Sequence, residues 1–478
     1  MMPSQFAGLA TFTLTLWHTT AISLAGYRKA ICVNVGANSS SSRSWVPAYS
    51  TVGLSSASNN SGIKTALIVV HGLGRDADNY FGWAMSAATS LPGGLTRHAV
   101  IAPWFAPSAQ PSGGSTKWIE AQAECGSGVG KSLSWASASG NPQSWLSCGD
   151  AQTTGGVYGS CDVLDALLQQ LRDGKLLPDL ELVTLAGFSA GGQLVHRYAF
   201  LSGSGSDNTD QVVGNDALYD ASVGAVRFVV SDPSTYLYHD AKRPDVGVCS
   251  PLQDTGVAHA CTAFGVPAHV SGSCGEYDDF KLGLAPGSLF GYAQRRLCPT
   301  TAAAADEAAS CPTEAAVAEA LANFLSKNLT LLLGGDDSCN CQSTGFINSA
   351  WCTAVQHGLT CCVDTYPDAG FVQNTTTGSW ICPDNALATD CGAMLQGSNR
   401  LQRGLNYYGY LRAYGKVIDA DFPDSGQLTC CIVDDMNHNA SEMVRCADGL
   451  QQLFAPNQAS CKKPCSKAKS TGIRMVHN

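Results

Sequence analysis

Six short runs of apolar residues punctuate the chain: Thr65 to Val70 (TALIVV), His98 to Pro103 (HAVIAP), Leu182 to Ala186, Val226 to Val230, Leu329 to Leu333 and Leu428 to Val433. Each is nearly continuous rather than alternating, which is the pattern of strands buried on both faces and paired in parallel. Between them, apolar positions recur at helical spacing in Cys161 to Leu171, in Leu194, Val195, Tyr198 and Ala199, in Thr313 to Leu325 and in Arg400 to Tyr414. Strand and helix therefore alternate. The pattern predicts an α/β fold with a mostly parallel central sheet and helices on both faces.

The stretch Glu181 to Phe200, ELVTLAGFSAGGQLVHRYAF, is where a buried strand meets a tight turn and leaves directly as a helix. Ser189 stands at its apex within Gly-x-Ser-x-Gly. The string by itself is weak evidence, but strand, turn and helix around it describe an elbow that presents a strained, exposed nucleophile. Gly187 and Gly191 are expected there because a side chain at either position would collide where strand and helix cross. Upstream, the run ending at Val70 leads straight into His71-Gly72-Leu73-Gly74-Arg75. The backbone N–H groups of Leu73 and Ala190 are thus the candidate donors of an oxyanion hole. His71 itself is expected to be structural.

Ester hydrolysis at neutral pH needs an imidazole to take the serine proton and an acid to fix its tautomer. The chain order Ser, acid, His suits an elbow of this kind. His438, in Asp434-Asp435-Met436-Asn437-His438-Asn439, directly follows the last strand and is the candidate base. Asp232 and the Asp336-Asp337 pair all stand at the carboxyl ends of strands and can each supply the acid. Asp337 is preferred, since Gly334 and Gly335 let the chain turn tightly enough for a short carboxylate to reach back to the ring. Asp336 and Asp232 stay open as the alternative acid. No cofactor-binding pattern and no metal-ligand spacing stands out, so neither a cofactor nor a metal is expected.

The 478 residues carry a formal charge of −10 and lack a basic surface run, which argues against nucleic acid as a partner. Residues 1–25 have no charged side chain, hold an apolar segment from Phe6 to Leu16 and end in Ser23-Leu24-Ala25, the form of a cleaved signal peptide, with a signal anchor as the alternative. No stable membrane span is expected once it is removed. Twenty-one cysteines point to disulfides and an oxidising compartment rather than to zinc. The odd number leaves one unpaired, and Cys32, isolated near the start, is the expected free thiol. Sequons at Asn38, Asn59, Asn328, Asn374 and Asn439 agree with secretion.

The expected organisation is a Ser/Asn-rich opening segment over 26–62 and a core over 63–338 that includes a cap at 240–325. A cysteine-rich insert at 339–391, seven cysteines in 53 residues, precedes the end of the core at 392–460 and a basic tail at 461–478. The partner of the insert is left open. Trp104, Trp118, Trp135 and Trp145 either line a substrate groove or form the small core of a loop held by Cys125, Cys148 or Cys161, the second reading being preferred.

The stretches VVHGLGRDADNYF, VIAPWF, CDVLDALL, LAGFSAGGQLVHRYA, VRFVVSDPSTYLYHDAKRP, LLLGGDD, CGAMLQGSNRLQRG and MNHNASEMV, spread over most of 65–446, resemble the α/β-hydrolase superfamily and, more narrowly, secreted hydrolases of algae and oomycetes. The resemblance implies the α/β-hydrolase fold, the triad Ser189, Asp337 and His438, and an oxyanion hole at Leu73 and Ala190. It implies no substrate. Three positions depart from its pattern: Asp232 stands where Asn is usual, Phe188 where His is frequent, and Asn437 where Gly often precedes the catalytic His. A glycan on Asn439 would crowd the base, so that sequon is expected to be unused. The function expected is hydrolysis of small-molecule, lipid or polysaccharide esters; the alternatives are a catalytically silent binding protein of the same fold and a serine peptidase.

Overall fold

In the computed structural model the described residues are 24–34, 43–55, 60–109, 118–126, 129–130, 132–135, 144–154, 158–172, 176–203, 225–245, 261–267, 274–298, 311–337, 372–373, 380–381, 387–388, 390–397, 399–418, 427–455 and 461. Eight strands form the central sheet: β1 (Arg28–Asn34), β2 (Arg43–Ser50), β3 (Thr65–Val70), β4 (His98–Pro103), β5 (Leu182–Phe188), β6 (Ala225–Ser231), β7 (Asn328–Gly334) and β8 (Leu428–Val433). Their order is β1-β2-β4-β3-β5-β6-β7-β8. Every pair from β4 to β8 is parallel, while β1 pairs antiparallel with β2 and β2 antiparallel with β4. The apolar runs led us to expect the mostly parallel sheet, and its order with an antiparallel β2 is that of the α/β-hydrolase fold the resemblance implies.

Among the described residues, the helices that flank the sheet include α1 (Ala77–Thr89), α2 (Ser160–Arg172), α3 (Ala190–Leu201), α4 (Glu314–Ser326), α5 (Arg400–Ile418), α6 (Ala440–Arg445) and α7 (Ala447–Phe454). Successive strand residues point to opposite faces, so one run feeds two cores. On β3, Ala66, Ile68 and Val70 join the cluster under α2, α3, α4 and α5. Leu67 and Val69 join the one under α1, α6 and α7. All twelve residues of α3 are buried, as befits the helix that carries the elbow through the middle of the molecule.

β1 and β2 both fall within the segment read as Ser/Asn-rich. Their residues mix Arg, Lys and Ser with Ile31, Val33, Trp45 and Val46, so no continuous apolar run announces them. The cap region is only partly within the described residues. Its helical run over 314–326 is a core helix: Ala320, Leu321, Phe324 and Leu325 share a cluster with Leu329 and Leu331 of β7. Another part is pinned to α2, where Arg295 bridges Asp150 and Asp162, and Arg296 bridges Asp165. The signal segment to residue 23 and almost all of the cysteine-rich insert and the basic tail lie outside the described residues.

Five disulfides join described cysteines: Cys32–Cys125, Cys148–Cys161, Cys274–Cys391, Cys298–Cys311 and Cys431–Cys461. The expectation that Cys32 is unpaired is therefore corrected. It closes a loop of 93 residues onto Cys125, a closure worth about 4 to 5 kcal/mol in a chain-entropy treatment. The free thiol among the described residues is Cys446. Trp118, Trp135 and Trp145 are buried, and Trp135 Nε1 donates to the Gly149 carbonyl at 2.9 Å. Trp135 and Trp145 pack into the main cluster beside β3 and α3, whereas Trp118, with Trp104 against it, belongs to a small cluster with Cys125, so the preferred reading of a small loop core describes only the second pair.

Candidate active site

The elbow has the backbone that the sequence requires. Ser189 adopts φ 58° and ψ −117°, a conformation that non-glycine residues rarely take and that marks stored strain. Two hydrogen bonds hold it: Ser189 N donates to the Ser231 carbonyl at 2.9 Å, and Gln193 N donates to the Ser189 carbonyl at 3.1 Å, opening α3. The flanking glycines are dictated by contact. A Cβ on Gly187 would lie 2.2 Å from the Gly191 carbonyl oxygen, and one on Gly191 would lie 2.4 Å from that of Val70 and 2.6 Å from that of His71. The first turn of α3 is thereby pressed against the end of β3.

That end of β3 carries Leu73, the candidate oxyanion donor, with its side chain 45% exposed. Ala190 is buried at the start of α3. His71 is fully buried and touches the matter from behind. Phe105 N donates to His71 Nε2 at 3.1 Å, so the ring proton sits on Nδ1, which donates to the Gly72 carbonyl at 2.9 Å. Arg75 N donates to the same carbonyl at 3.1 Å. The Gly72–Leu73 peptide is thus clamped through its oxygen, fixing where its N–H points. Burial pushes the His71 ring down to about 4, so it stays neutral and structural, as expected.

His438 and Asp337 come together although 101 residues separate them. His438 Nδ1 donates to Asp337 Oδ2 at 2.6 Å. Gly334 and Gly335 permit this approach: a Cβ on Gly334 would meet the Met436 carbonyl oxygen at 2.6 Å, and one on Gly335 that of Val433 at 3.0 Å. Asp336 N donates to the Met436 carbonyl, which ties the two turns together. The imidazole lies over Phe188, ring centroids 4.5 Å apart, so the residue before Ser189 and the base share one face.

Asp337 is fully buried, and its other oxygen, Oδ1, faces Arg400 Nη1 at 3.5 Å. Burial drives the Asp337 carboxyl up, but the charges and hydrogen bonds of His438 and Arg400 outweigh it and hold the group below the usual carboxylate range. Burial, followed by the Arg400 charge, lowers the His438 ring against the pull of Asp337. Asp232 is buried beside them, with Oδ1 accepting from Gly334 N at 2.9 Å. Burial and then the neighbouring Asp337 charge push its carboxyl well above the ordinary range. Among the described residues, Asp232, Asp337 and His438 form a cluster whose ligand atoms lie within 4.8 Å of one another. Asp336 is not part of it. The cluster contains three groups able to ligate a cation, but both Asp337 oxygens and one of Asp232 are already engaged, and the Arg400 guanidinium supplies the positive charge. Sequence reasoning passed over Arg400, although the quoted stretch CGAMLQGSNRLQRG contains it.

No protein-family model matches the chain, and no curated protein matches it. Solved structures similar to it include poly(aspartic acid) hydrolase-1 from Sphingomonas sp. KT-1, at 15% identity and TM-score 0.41, over 87% of this chain and 96% of that one. A poly(3-hydroxybutyrate) depolymerase from Bordetella parapertussis is similar at 14% identity and TM-score 0.42, over 91% and 95%. A siderophore hydrolase from Aspergillus nidulans aligns at 9% identity and TM-score 0.30, over 89% and 93%. At such values the likeness does not reach residues or substrates. The narrower resemblance to algal and oomycete hydrolases finds no match among them.

Proposed function

We propose that this chain of α/β-hydrolase fold is a secreted serine hydrolase that cleaves carboxylic esters through Ser189, His438 and Asp337. The observation that carries the reading is the 2.6 Å bond from His438 Nδ1 to a buried Asp337 carboxylate, beside an elbow whose serine holds φ 58°. With Nδ1 committed to Asp337, Nε2 is left as the base. It takes the Ser189 proton as Oγ attacks the ester carbonyl, and the oxyanion rests on the N–H groups of Leu73 and Ala190. His438 then gives the proton to the departing alcohol as the C–O bond breaks, leaving an acyl-enzyme that water releases by the reverse sequence. The clamp of His71 and Arg75 on the Gly72 carbonyl supports the assignment of Leu73, because a donor already aimed costs no reorganisation when charge develops.

Disulfides at ten described cysteines, with Cys261 and Cys430 bonded as well, favour an oxidising compartment. No described helix is long and apolar enough to cross a membrane. The test of substrate class is a panel of chromogenic esters from acetate to palmitate, with feruloyl and sugar acetates. Turnover of at least one is expected, and a panel of esters left untouched beside cleaved peptides would move the assignment to a peptidase.

The pH profile follows from the base. His438 works unprotonated, and burial lowers its affinity for protons, so the active form persists to a lower pH than a free imidazole would allow. The acid limb of kcat/KM is expected below about 6.5, the ordinary imidazole value. A limb at or above that value would contradict His438 as the base.

A further inference from the structure

We propose that Asp232 is a second acid of this site, placed so that His438 can be served by either of two carboxylates. The inference rests on the triad reading above. Adjacent parallel strands β6 and β7 bring their carboxyl ends side by side, with Asp232 directly after one and Asp337 three residues after the other. A carboxylate oxygen of Asp232 lies within 4.8 Å of both a His438 ring nitrogen and the Asp337 carboxylate. Its Oδ1 accepts the Gly334 N–H, a bond asparagine could make equally well without bringing a charge. Oδ2 is buried and makes no hydrogen bond, and the residue holds φ 41°.

Each of these features costs stability. A buried carboxyl oxygen without a partner is expensive, a second acid beside Asp337 is more so, and the left-handed backbone adds strain. A fold-holding role accounts for Oδ1 alone. A role at the imidazole accounts for the rest. While Asp337 is present it keeps the Nδ1 proton, and its charge helps hold Asp232 in the protonated form. Without the Asp337 carboxylate that repulsion ends and Arg400 loses its nearest anion. Asp232, which already has an oxygen within 4.8 Å of a ring nitrogen, can then release its proton and take over as the acceptor for the imidazole.

The experiment compares Asp337→Ala, Asp232→Asn, the double variant and Ser189→Ala by kcat/KM on the best ester of the panel. Melting temperatures and fluorophosphonate labelling report folding. Asp337→Ala is expected to lose about 100-fold, and the double variant about 10⁴-fold, the loss expected when the imidazole has no acid at all. Asp232→Asn should thus cost far more in the Asp337→Ala background than in the wild type, a coupling that a purely structural residue would not produce. If Asp337→Ala is already as slow as the double variant, the proposal is wrong. It is equally wrong if Asp232→Asn alone costs more than Asp337→Ala, since Asp232 would then be the principal acid. Should Asp337→Ala fail to fold, Asp337→Ser and its own double variant, which also shorten the side chain, give the comparison. Ester turnover that survives in Ser189→Ala would instead defeat the triad reading itself.

Discussion

Ser189→Ala is expected to lower kcat/KM for esters by about 10⁴-fold or more, while the melting temperature stays within a few degrees of the wild type. Removing the hydroxyl deletes the atom that forms the acyl-enzyme, and the remaining donors can only favour attack by water. The fold should tolerate the change, because the contacts that shape the elbow are made by backbone: Ser189 N to the Ser231 carbonyl, and the Ser189 carbonyl to Gln193 N. Labelling by a fluorophosphonate should vanish with the hydroxyl. Folded wild-type protein that neither labels nor turns over an ester would leave a binding protein of hydrolase fold as the better description.

Gly191→Ala is expected to do the opposite, striking the fold and the site together. The added Cβ would stand 2.4 Å from the Val70 carbonyl oxygen and 2.6 Å from that of His71, and neither is the end of a flexible side chain that could move aside. Either α3 or the end of β3 must shift, at a cost of about 3 kcal/mol, the upper end of what overpacking imposes. The shift would separate Ala190 from the clamped Leu73 peptide, so activity should fall even in the fraction that folds. Gly82→Ala provides the contrast, since Gly82 lies in α1 with nothing within 4 Å of a built Cβ. That change should stabilise by about 0.5 to 1 kcal/mol and leave turnover alone. Thermal melts and ester kinetics on both variants check the pair, and a Gly191→Ala enzyme as stable and active as the wild type would refute the crowding argument.

What could be read from the residues was whatever local pattern controls. The six apolar runs became β3 to β8 because a strand buried on both faces has no choice but to be apolar throughout. The elbow was legible because its glycines are demanded by contacts within a few residues and by the adjoining strand. Asp337 was the preferred acid for a local reason also, the Gly pair before it, and it is the carboxylate that reaches His438. β1 and β2 escaped because an antiparallel pair at the margin of a sheet tolerates Arg, Lys and Ser. The pairing of Cys32 escaped because connectivity among many cysteines is a property of three-dimensional neighbours. Arg400 escaped for the same reason: a cation in a helix looks solvated until the fold closes over it. The juxtaposition of Asp232 and Asp337 required knowing that β6 and β7 are neighbours, across some hundred intervening residues.

Among the described residues β8, which delivers His438, is the last strand of the sheet and pairs on one side only, with β7. A margin of that kind has half the ladder of an interior strand and is where sheets fray. Besides its buried side chains, which join both cores, sulfur anchors it: Cys431 is joined to Cys461, and Cys430 is disulfide-bonded too. Reducing these bonds is therefore expected to loosen the alignment of the imidazole with its acid, a change that ester kcat/KM before and after mild reductant would register. A reducing milieu would slacken the strand under the base while the nucleophile, deep in the interior on β5 and α3, kept its place.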